Sequence, residues 1–494
     1  MVLKIVLFLL IAVCMGPSVK AWSYSSMAKA TARPGFQARI SQSGLNYLRD
    51  AGLAILKEEI KHLSIPDISG KANVPILGGI DYTISNMRIT SFATSSATLT
   101  TQSGVGLVLR ASGITVPSTG DWHYRNHWII PIRDGGSFDA SMSGASLDLT
   151  LRIGKDQAGR PTVSSTGSDC SFDAGRVHVT FHGGASWLYN MFSGSISNSI
   201  KGALNEQTCS MITREVNTDL QRQFSNLQTQ AIIDQWAVID YSFVTTPQFS
   251  GHVDTAHKGE VFLRDSPRKE APYTVPVIPS DPDVSRHVFL WVTDYLFQTA
   301  ANVYYEAGRF RFTVTQDNLP PGRYNLNTSS FLVSSTLPDV SQKYPNMLMQ
   351  VNANATAPPA INFGEGQVNV SLKVDLDFFV TLPSKSLKYL FTLNSTISGS
   401  TLLSSDGRSI KWMTDSLRVA VALKRTAIGN IRMKPISEAV NALTSFYLIP
   451  WINDEGKKGF PLLDSPNIKL ENTVLKQRKG FIKLAADIKF TSSA

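Results

Sequence analysis

From Ser41 onward, apolar positions recur every three or four residues. Leu45, Leu48, Gly52, Ile55, Leu56, Ile60 and Leu63 share one face, with Asp50, Lys57, Glu58 and Lys61 opposite. This spacing predicts an amphipathic helix with Ser41 as its N-cap, stopped by Ile65-Pro66-Asp67. The period then shortens to two. Alternating runs at 82–89, 105–109, 137–142, 146–153 and 177–181, separated by Gly, Ser and Asp, predict an antiparallel meander that curls on itself. Helical spacing returns over 187–211, with Leu188, Met191, Phe192, Ile196, Ile200 and Leu204 on one side.

The plan repeats. Residues 294–307 read as a helix with Leu296, Ala300 and Val303 in register. Alternating strands follow at 367–380 and 409–423. A second long helix spans 436–452, with Ile436, Val440, Leu443 and Tyr447 in register. Between the two halves lie Pro267, Pro272, Pro276, Pro279 and Pro282. Proline lacks the amide proton a central ladder needs and fixes φ, so this stretch reads as an extended connector. The expected division is 1–21 as a removed leader, 22–262 as the first domain, 263–286 as the linker and 287–494 as the second domain. A chain of 494 residues is long for one core and comfortable for two.

The leader assignment rests on Lys4, the apolar run 5–13 and the small residues around Val19-Lys20-Ala21. That run is too short to cross a bilayer, and no later segment reaches about 18 uninterrupted apolar residues. Secretion gives the cysteines and sequons meaning. Cys14 leaves with the leader, and Cys170 and Cys209 either pair in an oxidising compartment or stay as separate buried thiols. A bridge there would stabilise by roughly 3–4 kcal/mol. Asn327, Asn354, Asn369 and Asn394 each open an Asn-X-Ser/Thr glycosylation sequon, all in the second half. The formal charge of +9 falls to +7 without Lys4 and Lys20. Acids and bases balance over 22–262, so the whole excess lies beyond residue 262. Part of it is the cluster Lys476, Arg478, Lys479, Lys483 and Lys489, which reads as solvated strand faces.

Several stretches resemble the bactericidal/permeability-increasing and lipopolysaccharide-binding family. They are ARPGFQARISQSGLNY (32–47), EEIKHLSIPDI (58–68), FDASMSG (138–144), GRPTV (159–163), VHVTFHGGASWLYNMF (177–192), TDYLFQTAANVYYEAG (293–308), KYPNM (343–347) and KKGFPLL (457–463). The resemblance implies an α+β boomerang: two elongated antiparallel β-barrels, each with two long helices, joined by a central sheet and the Pro-rich linker. It implies that Cys170 and Cys209 pair, and that each barrel holds phospholipid in an apolar pocket under its helices. The carried-over pocket residues are Leu45, Leu48, Gly52, Ile55, Leu188 and Phe192 in the first barrel. In the second they are Leu296, Ala300, Val303, Val440, Leu443 and Tyr447. The resemblance also implies a cationic tip on the first barrel for lipopolysaccharide phosphates. The tip hairpin is 120–130, with Trp122 and Arg125, and Lys61, Lys71, Arg133, Arg152, Lys155 and Arg160 are expected beside it. Trp122, Tyr124 and Trp128 suit either a membrane interface or cross-strand packing.

Other classes find little support. The chain has no G-x-S-x-G, H-E-x-x-H, Walker A or C-x-x-C motif, and its Gly104-Val-Gly106 and Gly364-Glu-Gly366 lack the third glycine of a dinucleotide fingerprint. His123 and His127 alone do not make a metal site. No enzyme activity, cofactor or metal is expected. A pI of about 9.3 without a basic stripe on a recognition element does not indicate nucleic acid. The expectation is a monomeric extracellular lipid binder acting in innate defence. Its alternative is a phospholipid carrier with little endotoxin recognition.

Overall fold

The structure is a computed structural model describing residues 33–62, 67–74, 78–126, 133–184, 193–318, 325–407, 409–429, 431–461 and 468–490. Chain order in the first half begins with β1 (Phe36–Ser41), α1 (Gln42–Glu59), β2 (Ile68–Val74), β3 (Gly78–Ile89), β4 (Ser96–Gln102), β5 (Gly106–Asn126) and β6 (Arg133–Lys155). It continues with β7 (Pro161–Ser164), β8 (Cys170–Asp173), β9 (Arg176–His182), α2 (Ser193–Glu215), a π-helical turn (Val216–Leu220) and α3 (Gln221–Ser225). The short strands β10 (Gln230–Ile232), β11 (Ala237–Asp240), β12 (Gln248–Phe249), β13 (His252–His257) and β14 (Glu260–Leu263) complete it. Residues 264–287 then run without helix or strand.

After that connector come β15 (Val288–Thr293), α4 (Asp294–Glu306), β16 (Arg311–Val314), the short helices α5 (Phe331–Thr336) and α6 (Pro338–Lys343), β17 (Met349–Ala355) and β18 (Ala360–Phe363). The long strands β19 (Val368–Thr381), β20 (Leu387–Ser405) and β21 (Ser409–Thr426) follow. Then come α7 (Met433–Leu443), a second π-helical turn (Thr444–Leu448), α8 (Ile449–Lys458), β22 (Phe460–Pro461) and the closing hairpin β23 (Ile468–Arg478) and β24 (Phe481–Phe490).

Each half builds its own antiparallel sheet, β2-β3-β5-β6-β7 with β4, β8 and β9 alongside, and β16-β17-β19-β20-β21-β22 with β18 alongside. Between them lies a six-stranded sheet in the order β12-β13-β1-β15-β24-β23. The sheet is internally symmetric. Each half contributes its opening strand and a hairpin from its later part, and β1 and β15 meet at the centre antiparallel, with Ala38 opposite Leu290. Each opening strand passes directly into a helix: Ser41 caps α1, its Oγ accepting from the Gly44 N–H at 3.1 Å, and Thr293 precedes α4. Gly44 is needed because a Cβ there would lie 2.5 Å from the His287 carbonyl oxygen.

Alternation sorts this sheet into two faces. Phe36, Ala38 and Ile40 of β1 join Val288, Ala486 and Ile488 in a core that includes Leu45 and Leu48 of α1. Arg39, Phe289, Trp291 and Lys483 share the other face, and the connector lies over it. Arg39 makes a two-pronged bond to Asp254 at 2.7 and 2.8 Å and donates to the backbone carbonyls of Asp281 and Asp283. Lys483 bonds the Asp281 and Asp283 carboxylates at 2.6 and 2.8 Å and sits over the rings of Phe289 and Trp291. Lys483 holds the Asp283 carboxyl well below the usual carboxylate range. Further along, Arg286 bonds Asp487 at 2.9 Å, and buried Arg268 bonds Asp240 at 2.7 Å.

The strands are longer than their alternation suggests. The runs 137–142 and 146–153 are one strand, β6, because Gly144 adopts φ +71° and lets the ladder continue past it. The run at 105–109 continues to Asn126. The second long helix of the second half begins at Met433, before Ile436, and runs through its π turn to Lys458.

His257 is fully buried between Phe36 and Phe243. Its Nδ1 lies 2.8 Å from the Tyr241 carbonyl, which can only accept, so Nδ1 carries the proton and Nε2 accepts from Thr255 Oγ1 at 2.9 Å. Burial pushes its pKa from 6.5 down to about 4. The unfolded chain therefore binds more protons between those values, so this contribution is intact above pH 6.5 and is lost as pH falls toward 4. Unfolding free energies from urea titrations are expected to drop by up to about 3 kcal/mol across that window. The variant His257→Gln is expected to flatten that slope.

Candidate lipid-binding site

The first sheet, α1 and α2 enclose two apolar clusters. Near the central sheet, Leu45 and Leu48 are wholly buried with Leu99, Leu107, Leu149 and Leu151 of the sheet and Val216, Leu220 and Phe224 from the chain after α2. Near the far end, Trp122, Tyr124, Phe138, Val179 and Phe181 pack together with Ile80 and Ile84, and Ile200 of α2 leans on them. Between these clusters the packing loosens. Gly52 is buried, but Leu53, Ile55, Leu56 and Ile60 are only half-buried. On α2, Ile200, Leu204 and Ile212 are also half-buried, whereas Val216 and Leu220 beyond its end are buried. Over this middle stretch the apolar faces of both helices are therefore incompletely covered, although α2 still packs on β9 toward the far end. Uncovered apolar surface of this kind is chemically suited to an acyl chain, since burying a methylene gains about 0.8 kcal/mol.

The disulfide keeps α2 over the sheet. Cys170 of β8, which pairs with Leu149 of β6, is bonded to Cys209 of α2, with a Cα–Cα distance of 5.6 Å. The pairing implied by the resemblance is therefore present.

The pocket residues divide. Leu45 and Leu48 are core packing, Gly52 and Ile55 border the loosened stretch, and Leu188 and Phe192 lie outside the described residues. In the second half, Leu296, Ala300 and Val303 of α4 pack on the three-stranded sheet β10-β11-β14, against Ala237, Ile239 and Val261. Val440 of α7 instead joins Val333, Leu337, Val340, Leu390 and Ile436. The two second-half sets are thus not brought together. Leu443 closes α7 and Tyr447 lies in the π turn, their side chains outside the described residues.

The tip residues divide more sharply. Lys71 of β2 pairs with Asp81 of β3, Asp81 with Arg125 of β5, and Arg125 with Arg133 of β6. Directly paired residues in adjacent strands share a face, so these four form one rank across four strands, about 14 Å wide at normal strand spacing. Three cations flank one carboxylate at the end of the sheet far from β1. Alternation turns His123 and Arg125 outward and Trp122 and Tyr124 inward. Trp122 is 5% exposed and its indole N–H donates to the His182 carbonyl, so it is a core residue of the far end rather than an interfacial one. Trp128 and His127 lie outside the described residues. Lys61 follows α1, exposed and paired with Glu58 at 3.1 Å.

Arg152, Lys155 and Arg160 do not belong to this tip. Because β6 is a single strand of 23 residues, Arg133 and Lys155 sit at its opposite ends, on the order of 70 Å apart along the chain. The carbonyl of Gly159, beside Arg160, accepts from the Phe243 N–H at 2.8 Å near the central sheet. Arg152 is also held by Asp169 at 2.7 and 2.8 Å, and that pairing keeps the Asp169 carboxyl well below its usual range.

Among the sequons, Asn354 and Asn394 both pair with Asp375, and Asn369 lies an even number of residues from it on β19. These three asparagines therefore share the outward face of the second sheet, and Asn369 and Asn394 are exposed. Asn327 lies apart, in an isolated bridge with Leu348. Among the described residues no group of three or more His, Cys, Asp or Glu could hold a metal, and no helix is long and apolar enough to cross a membrane.

Comparison with known proteins agrees with this architecture. Residues 44–227 match the model of the LBP / BPI / CETP family N-terminal domain, and residues 231–490 match that of its C-terminal domain. The chain is 31% identical to a human lipopolysaccharide-binding protein over 465 residues, covering 93% of this chain and 94% of the relative. It is 29% identical to a bactericidal permeability-increasing protein of Sebastes schlegelii over 460 residues, covering 93% and 96%. A crystal structure of lipopolysaccharide binding protein superposes with a TM-score of 0.57 at 28% identity, covering 93% of this chain and 99% of that one.

Replacing both Cys170 and Cys209 by alanine is expected to lower stability by roughly 3–4 kcal/mol. Hydrogen exchange should then speed up along α2 more than along β1. Equal protection of α2 in both forms would contradict the tethering role.

Proposed function

The chain belongs to the LBP / BPI / CETP family, and from that premise we propose that it is a secreted, monomeric lipid-binding protein. It takes up bacterial lipopolysaccharide at the far end of the first half and holds phospholipid acyl chains in both halves. It acts by binding rather than catalysis and needs no cofactor. Secretion is supported by the leader pattern of residues 1–21, and the division at the connector by the absence of helix and strand over 264–287.

The observation that carries this reading is the rank Lys71–Asp81–Arg125–Arg133 on the outer face of the sheet end whose inner face holds the apolar cluster of Trp122 and Tyr124. Guanidinium groups form paired, charge-assisted bonds to phosphate oxygens. Acyl chains of the same molecule would run inward past Trp122 and Tyr124 toward the half-buried faces of α1 and α2. Lipid carriage without endotoxin recognition is the second reading, favoured by the neutral charge of residues 22–262 and by Asp81 within the rank.

Binding to immobilised lipopolysaccharide separates the two. Arg125→Glu with Arg133→Glu is expected to weaken it by about 10- to 100-fold and to reduce its salt dependence. Lys155→Glu, at the other end of β6, should leave it unchanged. If the double variant binds as well as the parent, the rank is not the phosphate site. Gly52→Trp is expected to reduce the phospholipid extracted from the purified protein, read by mass spectrometry. An unchanged yield would move the pocket elsewhere.

A further inference from the structure

The far end of the second half carries an exposed apolar cap. Phe331, the first residue of α5, is 88% exposed, while Val333 two residues on is 6% exposed. Leu348 and Leu387 are 45% and 44% exposed. Local hydrogen bonds bring the three together. The Thr381 N–H donates to the Leu348 carbonyl at 2.8 Å, and Thr381 pairs with Leu387 across the β19–β20 turn. The Asn346 N–H donates to Ser329 Oγ, and Ser330 caps α5, so Phe331 sits beside Leu348. The cap rests on a packed floor of Val333, Leu337, Val340, Met349, Val380 and Leu390. It is therefore a formed surface and not a frayed end.

Charge surrounds it. Lys385 and Lys388 lie in a turn and strand start with no acid between residues 378 and 390, and Lys343 ends α6, where the next residue, Tyr344, packs on the same apolar cluster as Leu382 of the turn. All three are exposed, and among the described residues none is ion-paired. At its other end β19 meets the central sheet, where Phe363 and Val368 pack on Ile482. Fourteen residues of strand put the cap about 40 Å from that junction. It is an extremity that a flat surface can reach.

We propose that this cap docks on an anionic lipid surface, with Phe331, Leu348 and Leu387 entering the interface and Lys343, Lys385 and Lys388 meeting lipid phosphates. Three large apolar side chains ringed by lysines match an interfacial anchor. They offer far less than the roughly 800 Å² that a stable protein partner would cover. The net charge of +7 that remains without Lys4 and Lys20, all of it beyond residue 262, draws this half toward the same surface. Docking here is independent of the lipopolysaccharide rank, which lies on the other half of the molecule.

The test uses the full-length secreted protein carrying Arg125→Glu and Arg133→Glu, so that the first-half rank is silent, with and without enzymatic removal of N-glycans because Asn327 borders the cap. Phe331→Cys is labelled with an environment-sensitive dye, Cys170 and Cys209 being held in their disulfide. Vesicles of phosphatidylcholine alone and with about one-third phosphatidylserine are added. The dye is expected to brighten and shift to the blue only with the anionic vesicles, and less so at high salt. Lys385→Glu with Lys388→Glu is expected to weaken vesicle binding by about tenfold or more without changing the urea midpoint. A dye indifferent to anionic vesicles would overturn the proposal, as would undiminished binding of the lysine variant. So would a response to serum protein in the absence of lipid.

Discussion

Five residue pairs between β1 and β15 set the geometry of everything else. From Phe36–Val292 to Ile40–Val288 the two strands run antiparallel, and each passes straight into a helix. Antiparallel strands leave by opposite ends, so α1 and α4 start out in opposite directions and the two halves extend away from a shared centre. Register here is strongly determined. A slip of one residue would place Arg39 among Leu45, Leu48 and Ile488 and turn Ile40 toward the connector. The hairpins β12–β13 and β23–β24 then occupy the two flanks, which completes the symmetry.

The opposite face of that sheet explains why the connector is rich in both proline and aspartate. Proline keeps it extended and out of the ladder. Asp281 and Asp283 meet Lys483, which would otherwise be a buried cation against Phe289 and Trp291. A buried charge is tolerated when paired and strongly destabilising when its partner is removed. Arg39, Arg268 and Arg286 repeat the arrangement along the connector. The segment that reads as an extended connector is also a strap bonded along its length to the central sheet and to β11.

How much of this was legible follows from the range of each interaction. Ser41 as a cap, the face of α1 and the duplicated helix–meander–helix plan are local and periodic, and they stand in the sequence. Cys170 and Cys209 were bridged by compartment logic and resemblance. The length of β6 is hidden because Gly144 looks like a turn and acts as a bulge, and only the unbroken strand shows that Arg152, Lys155 and Arg160, expected at the tip from the resemblance, lie toward its other end. Lys71, Arg125 and Arg133 were named individually, but their alignment through Asp81 depends on strand register, which no local pattern encodes. The burial of Trp122 could have been read from the alternation Trp122-His123-Tyr124-Arg125, in which the aromatics share one face. The roles of Arg39 and Lys483 could not, since their partners lie more than 200 residues away.

Packing density then separates structure from function along one axis. Close to the central sheet, Leu45, Leu48, Leu149 and Leu151 leave no exposed surface, and the disulfide adds a covalent tie beside them. Between these and the far-end cluster of Trp122 and Phe181, the same helix faces remain apolar but are only half covered. A protein selected for stability alone would fill that space, since each uncovered methylene forfeits favourable burial. A half-covered apolar stretch on the same half as Lys71, Arg125 and Arg133 is what a molecule with both acyl chains and phosphates would complete. The rigid centre makes this possible. Because the strap and the β1–β15 ladder hold the inner ends fixed, the stretch between the two clusters can stay half-covered without loosening the fold.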